Sequence, residues 1–197
     1  MNRRAVLACA VLLGAGALAG CGEHTSTAAI TTPPLCPVGN NDAGNGVVLM
    51  AQSVPTATWV PCVRRSLPLG WGFHHLDARD GEARFWLDSD RDGTQAVEVR
   101  LQETCDISDS TEIASDRDGM RRYERVRQVS PTYAGERHYR FRGGCLSVVF
   151  QLDGDNPGEA LALASQAVGV VSRDDLSAQV HENSGGRIDL DPGRGER

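Results

Sequence analysis

The chain contains no lysine: its twenty basic side chains are all arginine, set against twenty-six acids and a net charge of −6. An acidic chain without a basic tail does not fit nucleic-acid binding. Abundant Gly and Ala beside the lysine-free basic set match the composition expected of a high-GC genome. Aromatic residues make up only 5%. No two cysteines stand in C-x₂-C spacing, which removes the usual framework of a structural zinc site. Beyond residue 20 there is no apolar run long enough to span a bilayer as a helix, so the remainder is not expected to cross one in that way. Common catalytic signatures are missing as well: no G-x-S-x-G elbow, no H-E-x-x-H pair and no glycine-rich phosphate loop opening a helix.

What is present begins at the N-terminus. Arg3 and Arg4 precede an apolar stretch of about a dozen residues, too short to cross a hydrocarbon layer of about 30 Å. It closes on Leu18-Ala19-Gly20-Cys21. This tetrapeptide resembles the lipobox of bacterial lipoproteins, in which the cysteine is acylated and becomes the first residue. The resemblance implies a signal peptide over residues 1–20, lipidation at Cys21 and residence on the outer face of the cytoplasmic membrane. Two or three acyl chains on one cysteine give stable attachment, at about 0.8 kcal/mol per buried CH₂. The Arg3-Arg4 pair lacks the fuller twin-arginine motif, which favours the general secretory route. With residues 1–20 removed, 18 basic residues face 26 acidic ones, a net charge of −8. The layout of the mature domain is similar to uncharacterised lipoproteins of high-GC Gram-positive bacteria, a resemblance that implies no particular activity.

Four cysteines remain after Cys9 and Cys21: Cys36, Cys62, Cys105 and Cys145. An even number in an oxidising compartment predicts two disulfides, with three connectivities open. Nearest-neighbour pairing, Cys36–Cys62 and Cys105–Cys145, is favoured. Loop-closure entropy then gives each roughly 3.5–4 kcal/mol.

Residues 21–35 read as a Thr/Ala/Pro tether, 36–190 as one globular domain and 191–197 as a frayed tail. Period-two alternation predicts strands around Ala83-Phe85-Leu87, Val97-Val99-Leu101 and Leu146-Val148-Phe150-Leu152. Weaker strands are expected over 71–79, 121–129 and 137–142, with Asp-Gly and Gly-Gly turns between them. After Asn156-Pro157, the period changes to that of a helix, with Leu161, Ala164, Val168 and Val171 on one face. A second cap at Ser172 starts a short helix through Leu176 and Val180, and Ile188 and Leu190 suit a last edge strand. The predicted architecture is α+β: an antiparallel sheet of about five to seven strands packed against a C-terminal helix, stapled by two disulfides.

Two segments carry chemistry. Asp88-Ser89-Asp90-Arg91-Asp92-Gly93 resembles the first half of an EF-hand calcium loop, which would make Asp88, Asp90 and Asp92 ligands and Thr94 a carbonyl donor. The twelfth position is Val99 where the loop needs Glu, and the flanks read as strands. Arg-Asp-Gly recurs at 79–81 and 117–119, so a hairpin turn is the preferred reading, with calcium as the variant. The second segment is the solvated sheet face. There His138, Arg140 and Arg142 alternate with Tyr139 and Phe141, and Arg84, Trp86 and Arg100 are expected on the same side. An aromatic ring among arginines suits an acidic glycan, an anionic headgroup or an acidic protein surface. Glu98 and Glu124 are alternative partners for those arginines. His74 and His75, adjacent on a strand, are expected on opposite faces, unable to share a ligand. Trp59 and Trp71 flank Cys62 and are expected to pack on a disulfide.

The sequence therefore points to a lipid-anchored, non-catalytic envelope protein that binds or supports another envelope component, a protein or a glycan. The alternatives are a calcium-dependent binding module and a secreted hydrolase with scattered catalytic residues.

Overall fold

The computed structural model describes residues 28–37 and 44–191. The signal segment, Cys21, His24 and residues 192–197 lie outside them. Ten strands and three helices follow in the order β1 (Ala28–Ile30), α1 (Asn45–Ser53), β2 (Trp59–Val63), β3 (Trp71–Arg79), β4 (Glu82–Ser89), β5 (Gly93–Gln102), β6 (Thr111–Ile113), β7 (Arg121–Gln128), β8 (Tyr133–Phe141), β9 (Gly144–Leu152), α2 (Pro157–Ala167), β10 (Val168–Ser172) and α3 (Arg173–Asn183). Eight strands form one antiparallel sheet in the order β1-β3-β4-β5-β9-β8-β7-β6, and β2 pairs with β10 in a separate ribbon. The fold is α+β, as the alternation predicts. The strands beyond five to seven include β1 and β6, three residues each and too short to carry a periodic signal.

One face of the sheet is the core. Phe85, Leu87, Val97, Val99, Leu101, Leu146 and Leu152 are fully buried. Against this face lie α1, the β2–β10 ribbon, α2 and α3, so a mixed layer replaces the single covering helix that the sequence suggests. Asn156 caps α2 by accepting from the Glu159 amide, with Pro157 in the first turn. The helix stops at Ala167, earlier than the expected apolar face that included Val168 and Val171. Val168-Gly169-Val170-Val171 is β-branched and glycine-bearing, and it pairs with β2 from Val168↔Val63 to Ser172↔Trp59. Ser172 accepts from the Asp175 amide and caps α3 as predicted. Ile188 and Leu190 are not in a strand; Leu190 is buried while Ile188 is 58% exposed.

Both disulfides take the nearest-neighbour pairing, with Cα–Cα separations of 4.9 Å for Cys36–Cys62 and 5.8 Å for Cys105–Cys145. Such bonds belong to oxidising compartments, which points to an extracytoplasmic protein. Among the described residues no helix is long and apolar enough to cross a membrane. The domain also begins earlier than Cys36: Ala28, Ala29 and Ile30 pair with Ala78, Asp77 and Leu76, taking part of the expected tether into the sheet.

Candidate functional site

Strand register builds the outer face of the sheet in rows. One row runs Asp77, Arg84, Arg100, Ser147, His138, Tyr123 and Glu112, each directly opposite the next on neighbouring strands. The adjacent row carries Trp86, Glu98, Val149, Glu136 and Arg125. Arg84, Trp86 and Arg100 therefore share a face, as the alternation predicts. Their charges are answered locally. Glu98 accepts from Arg100 Nε and Nη2 at 2.9 and 2.6 Å, and Arg84 lies 3.6 Å from Glu82 and 3.9 Å from Glu98.

A register shift between Phe73 and Leu76 changes the edge of this face. Phe73 pairs with Leu87 and Leu76 with Phe85, so two residues, His74 and His75, stand opposite the single Trp86. A bulge places both imidazoles on the outer side, which corrects the expectation of opposite faces. Their ring centroids are 4.8 Å apart. His75 stacks on Trp86 at 4.2 Å and 15°, and the Arg84 guanidinium lies 5.2 Å from the same indole centroid. His74 Nδ1 is 3.0 Å from Asp88 Oδ2. The indole is thus already occupied by its own neighbours.

The far half of the outer face is roofed. After β5 the chain crosses β9, β8 and β7 to reach β6 at the opposite edge, and Cys105 is pinned to Cys145 on the way. Arg125 donates to the Ser108 carbonyl on this crossover. Beneath it, His138 is 3% exposed, with Nδ1 2.8 Å from Ser147 Oγ and Nε2 3.2 Å from Glu136 Oε2. Burial pushes its pKa below the ordinary histidine range, against the opposing charge of Glu136. Glu136 itself is held below the usual carboxylate range: burial works the other way, but the Arg125 hydrogen bond and the charges of Arg127 and Arg125 outweigh it. His138 is therefore not part of a solvated binding surface. Arg140 and Arg142 are exposed, and Arg140 lies opposite Cys145, near the β8–β9 turn and apart from Trp86. Glu124 sits on the other face, where it accepts from Arg122 and Arg137.

A cleft of about 780 Å³ opens at the end of the sheet. It is lined by Pro68, Leu69 and Trp71, by the β4–β5 turn, whose Asp90 amide donates to the Gly70 carbonyl at 2.8 Å, and by the β9–α2 connection with the start of α2. The lining brings together Asp90, Asp92, Asp153, Asp155 and Glu159, with Arg91 as the one basic residue among them. Leu69 is fully exposed. This is a concave site with acidic and apolar lining, in the size range of ligand pockets.

The predicted calcium loop spans this cleft, but its carboxylates have separate tasks. Asp88 turns to the outer face, where it meets His74 and accepts from the Gln95 amide at 2.7 Å. Asp92, 5% exposed, accepts from Ser89 Oγ at 2.7 Å and from the Gly154 amide at 3.0 Å, tying the turn to the β9–α2 connection. Asp90 is exposed at the rim. Among the described residues, the one group of three whose ligand atoms lie within 4.8 Å of one another is Cys105, His138 and Cys145. Asp153 and Asp155 carry no motif that sequence reading could use; only the packing of β9 against β5 brings them beside Asp90. Leu69 had a weak signal, an apolar residue in a Pro-Leu-Gly loop.

Comparison with protein-family models, with curated proteins and with solved structures finds no match. Any functional reading therefore rests on this geometry.

Proposed function

We propose that the protein is a lipid-anchored, non-catalytic binding domain of the cell envelope, and that its end cleft takes a cationic segment of another envelope component. The observation that carries the reading is the cleft itself. On the flat outer face arginines and acids neutralise one another, whereas the cleft sets the exposed carboxylates of Asp90 and Asp155 beside the exposed Leu69 and the half-buried Trp71. An arginine- or lysine-bearing segment with apolar neighbours satisfies both kinds of lining. The expected acidic ligand on Arg84 and Arg100 has less support, since Glu82 and Glu98 already hold those groups.

Anchoring through Cys21 suits this arrangement. Six residues separate it from Ala28, which limits the reach between lipid and sheet to about 25 Å. The chain enters β3's edge beside Ala78, near the β3–β4 turn, while the cleft lies at the other end of β3 around Trp71. The cleft thus opens at the end of the domain away from the point of attachment.

The test is a photo-activated residue at Leu69 in intact cells, with one at Trp86 as the control. Lysine-directed reagents have no target in this chain. The expected result is a recurrent adduct from Leu69, mapped to an Arg- or Lys-bearing segment and lost with Asp90→Asn/Asp155→Asn. Adducts from Trp86 alone, or none from either position in folded and lipidated protein, would overturn the reading.

A further inference from the structure

The crossover that hides His138 also presses it against the second disulfide. One ligand-capable atom from each of Cys105, His138 and Cys145 lies within 4.8 Å of the others, in a largely buried setting. His138 Nε2 has no well-formed hydrogen bond; its near polar neighbour is Glu136 Oε2, at the ion-pair distance of 3.2 Å. A 97%-buried imidazole with one nitrogen so weakly engaged is an uncommon arrangement, since buried polar atoms are normally satisfied. No such group forms around Cys36–Cys62 among the described residues; that bond lies against Gly169. The two disulfides are therefore chemically different: one is a staple, the other has a histidine beside it.

We propose that Cys105 and Cys145, when reduced, form with His138 a three-ligand site for copper(I). Two thiolates and an imidazole are soft to borderline donors, the set that selects a thiophilic d¹⁰ cation, and three donors suit copper(I), whereas zinc in structural sites takes four. The chemistry balances in two steps. An extracytoplasmic dithiol gives two electrons and two protons to the S–S bond, becoming a disulfide while Cys105 and Cys145 become thiols. Copper(I) then replaces the two thiol protons, which pass to solvent. Burial keeps the imidazole neutral and available as a ligand. The resulting centre carries one negative charge, and the Arg125 guanidinium, whose field already reaches His138, offsets it. In the oxidised state described here the same two sulfurs are bonded to each other, so disulfide formation and metal binding exclude one another. This site is independent of the end cleft.

The experiment uses the full-length protein, reduced, freed of reductant under anaerobic conditions and titrated with copper(I) against a chromophoric chelator. The reduced protein is expected to bind one equivalent more than reduced Cys105→Ser/Cys145→Ser protein, and the two oxidised proteins are expected not to differ. X-ray absorption of the 1:1 complex should give two sulfur neighbours and one nitrogen. His138→Gln should weaken binding by about tenfold or more, the least expected of a lost ligand when lost outer-shell partners already cost 10–100-fold. A sulfur-only shell in the wild-type protein would overturn the proposal without relying on any variant. So would binding that survives Cys105→Ser/Cys145→Ser and is lost with Cys36→Ser/Cys62→Ser.

Discussion

The imidazole of His75 lies parallel to the indole of Trp86, their centroids 4.2 Å apart and their planes 15° apart. The contact exists because the bulge turns His75 outward beside His74. The stacked imidazole covers one face of the indole, so His75→Ala should move tryptophan emission to longer wavelength and cost about 0.5–1 kcal/mol, at the lower end for stacked ring pairs. In a Trp86→Phe background, which leaves Trp59 and Trp71, the same replacement should leave emission unchanged. Emission unchanged by His75→Ala in the wild-type background would show that the imidazole does not cover the indole.

His138 and the carboxylates around it set the response to acid. Burial lowers the folded-state pKa of His138, so the unfolded chain binds more protons just below about pH 6.5, and stability is expected to fall as pH drops through that value. Glu124 and Glu136 are also lowered, through arginine partners that outweigh burial, so their contribution is present above about pH 4.3 and lost below it. Urea titrations across pH should therefore show two stages of loss. His138→Gln should remove the upper stage and leave the lower one.

Asp92 works as a structural staple between the β4–β5 turn and Gly154. Its replacement by Ala strands the Ser89 hydroxyl and a backbone amide, at an expected cost of about 1–3 kcal/mol. Because Asp88, Asp90 and Asp92 do not converge, millimolar calcium should leave the melting temperature of the wild-type protein unchanged, and the Asp92→Ala loss should be the same with and without it. A calcium-dependent rise in the wild type would restore the metal reading of this loop.

Gly169 is fixed by packing against sulfur. A Cβ there would lie 2.5 Å from Cys36 Sγ and 3.3 Å from Cys62 Sγ. Gly169→Ala should cost about 1–3 kcal/mol in urea unfolding, the range for overpacking. Gly72, with nothing within 4 Å of an added Cβ, is the control; Gly72→Ala should be far milder.

Sheet strands were legible in the sequence because burial on one face writes itself into nearest-neighbour alternation. Phe85, Leu87, Val97 and Val99 could be assigned from a few residues each. The caps at Asn156 and Ser172 are equally local, a side chain answering an amide three residues on. Alternation misled in β9, where Cys145 and Ser147 share the polar phase yet are buried, since a crossover from far along the chain roofs them. It misled again at His138 for the same reason. At His74 and His75 it failed because a bulge shifts the phase by one residue and leaves no mark in composition.

By itself the sequence determined the α+β class and the starts of α2 and α3, and its nearest-neighbour cysteine pairing agrees with the structure. Each of these rests on contacts or spacings within a short stretch of chain. Tertiary structure alone decided that Asp90, Asp153 and Asp155 line one cleft, that His75 covers Trp86, and that His138 lies against a disulfide. Those relations depend on strand order, register and a long crossover, which bring distant residues together through packing of the whole sheet, and no local pattern records them.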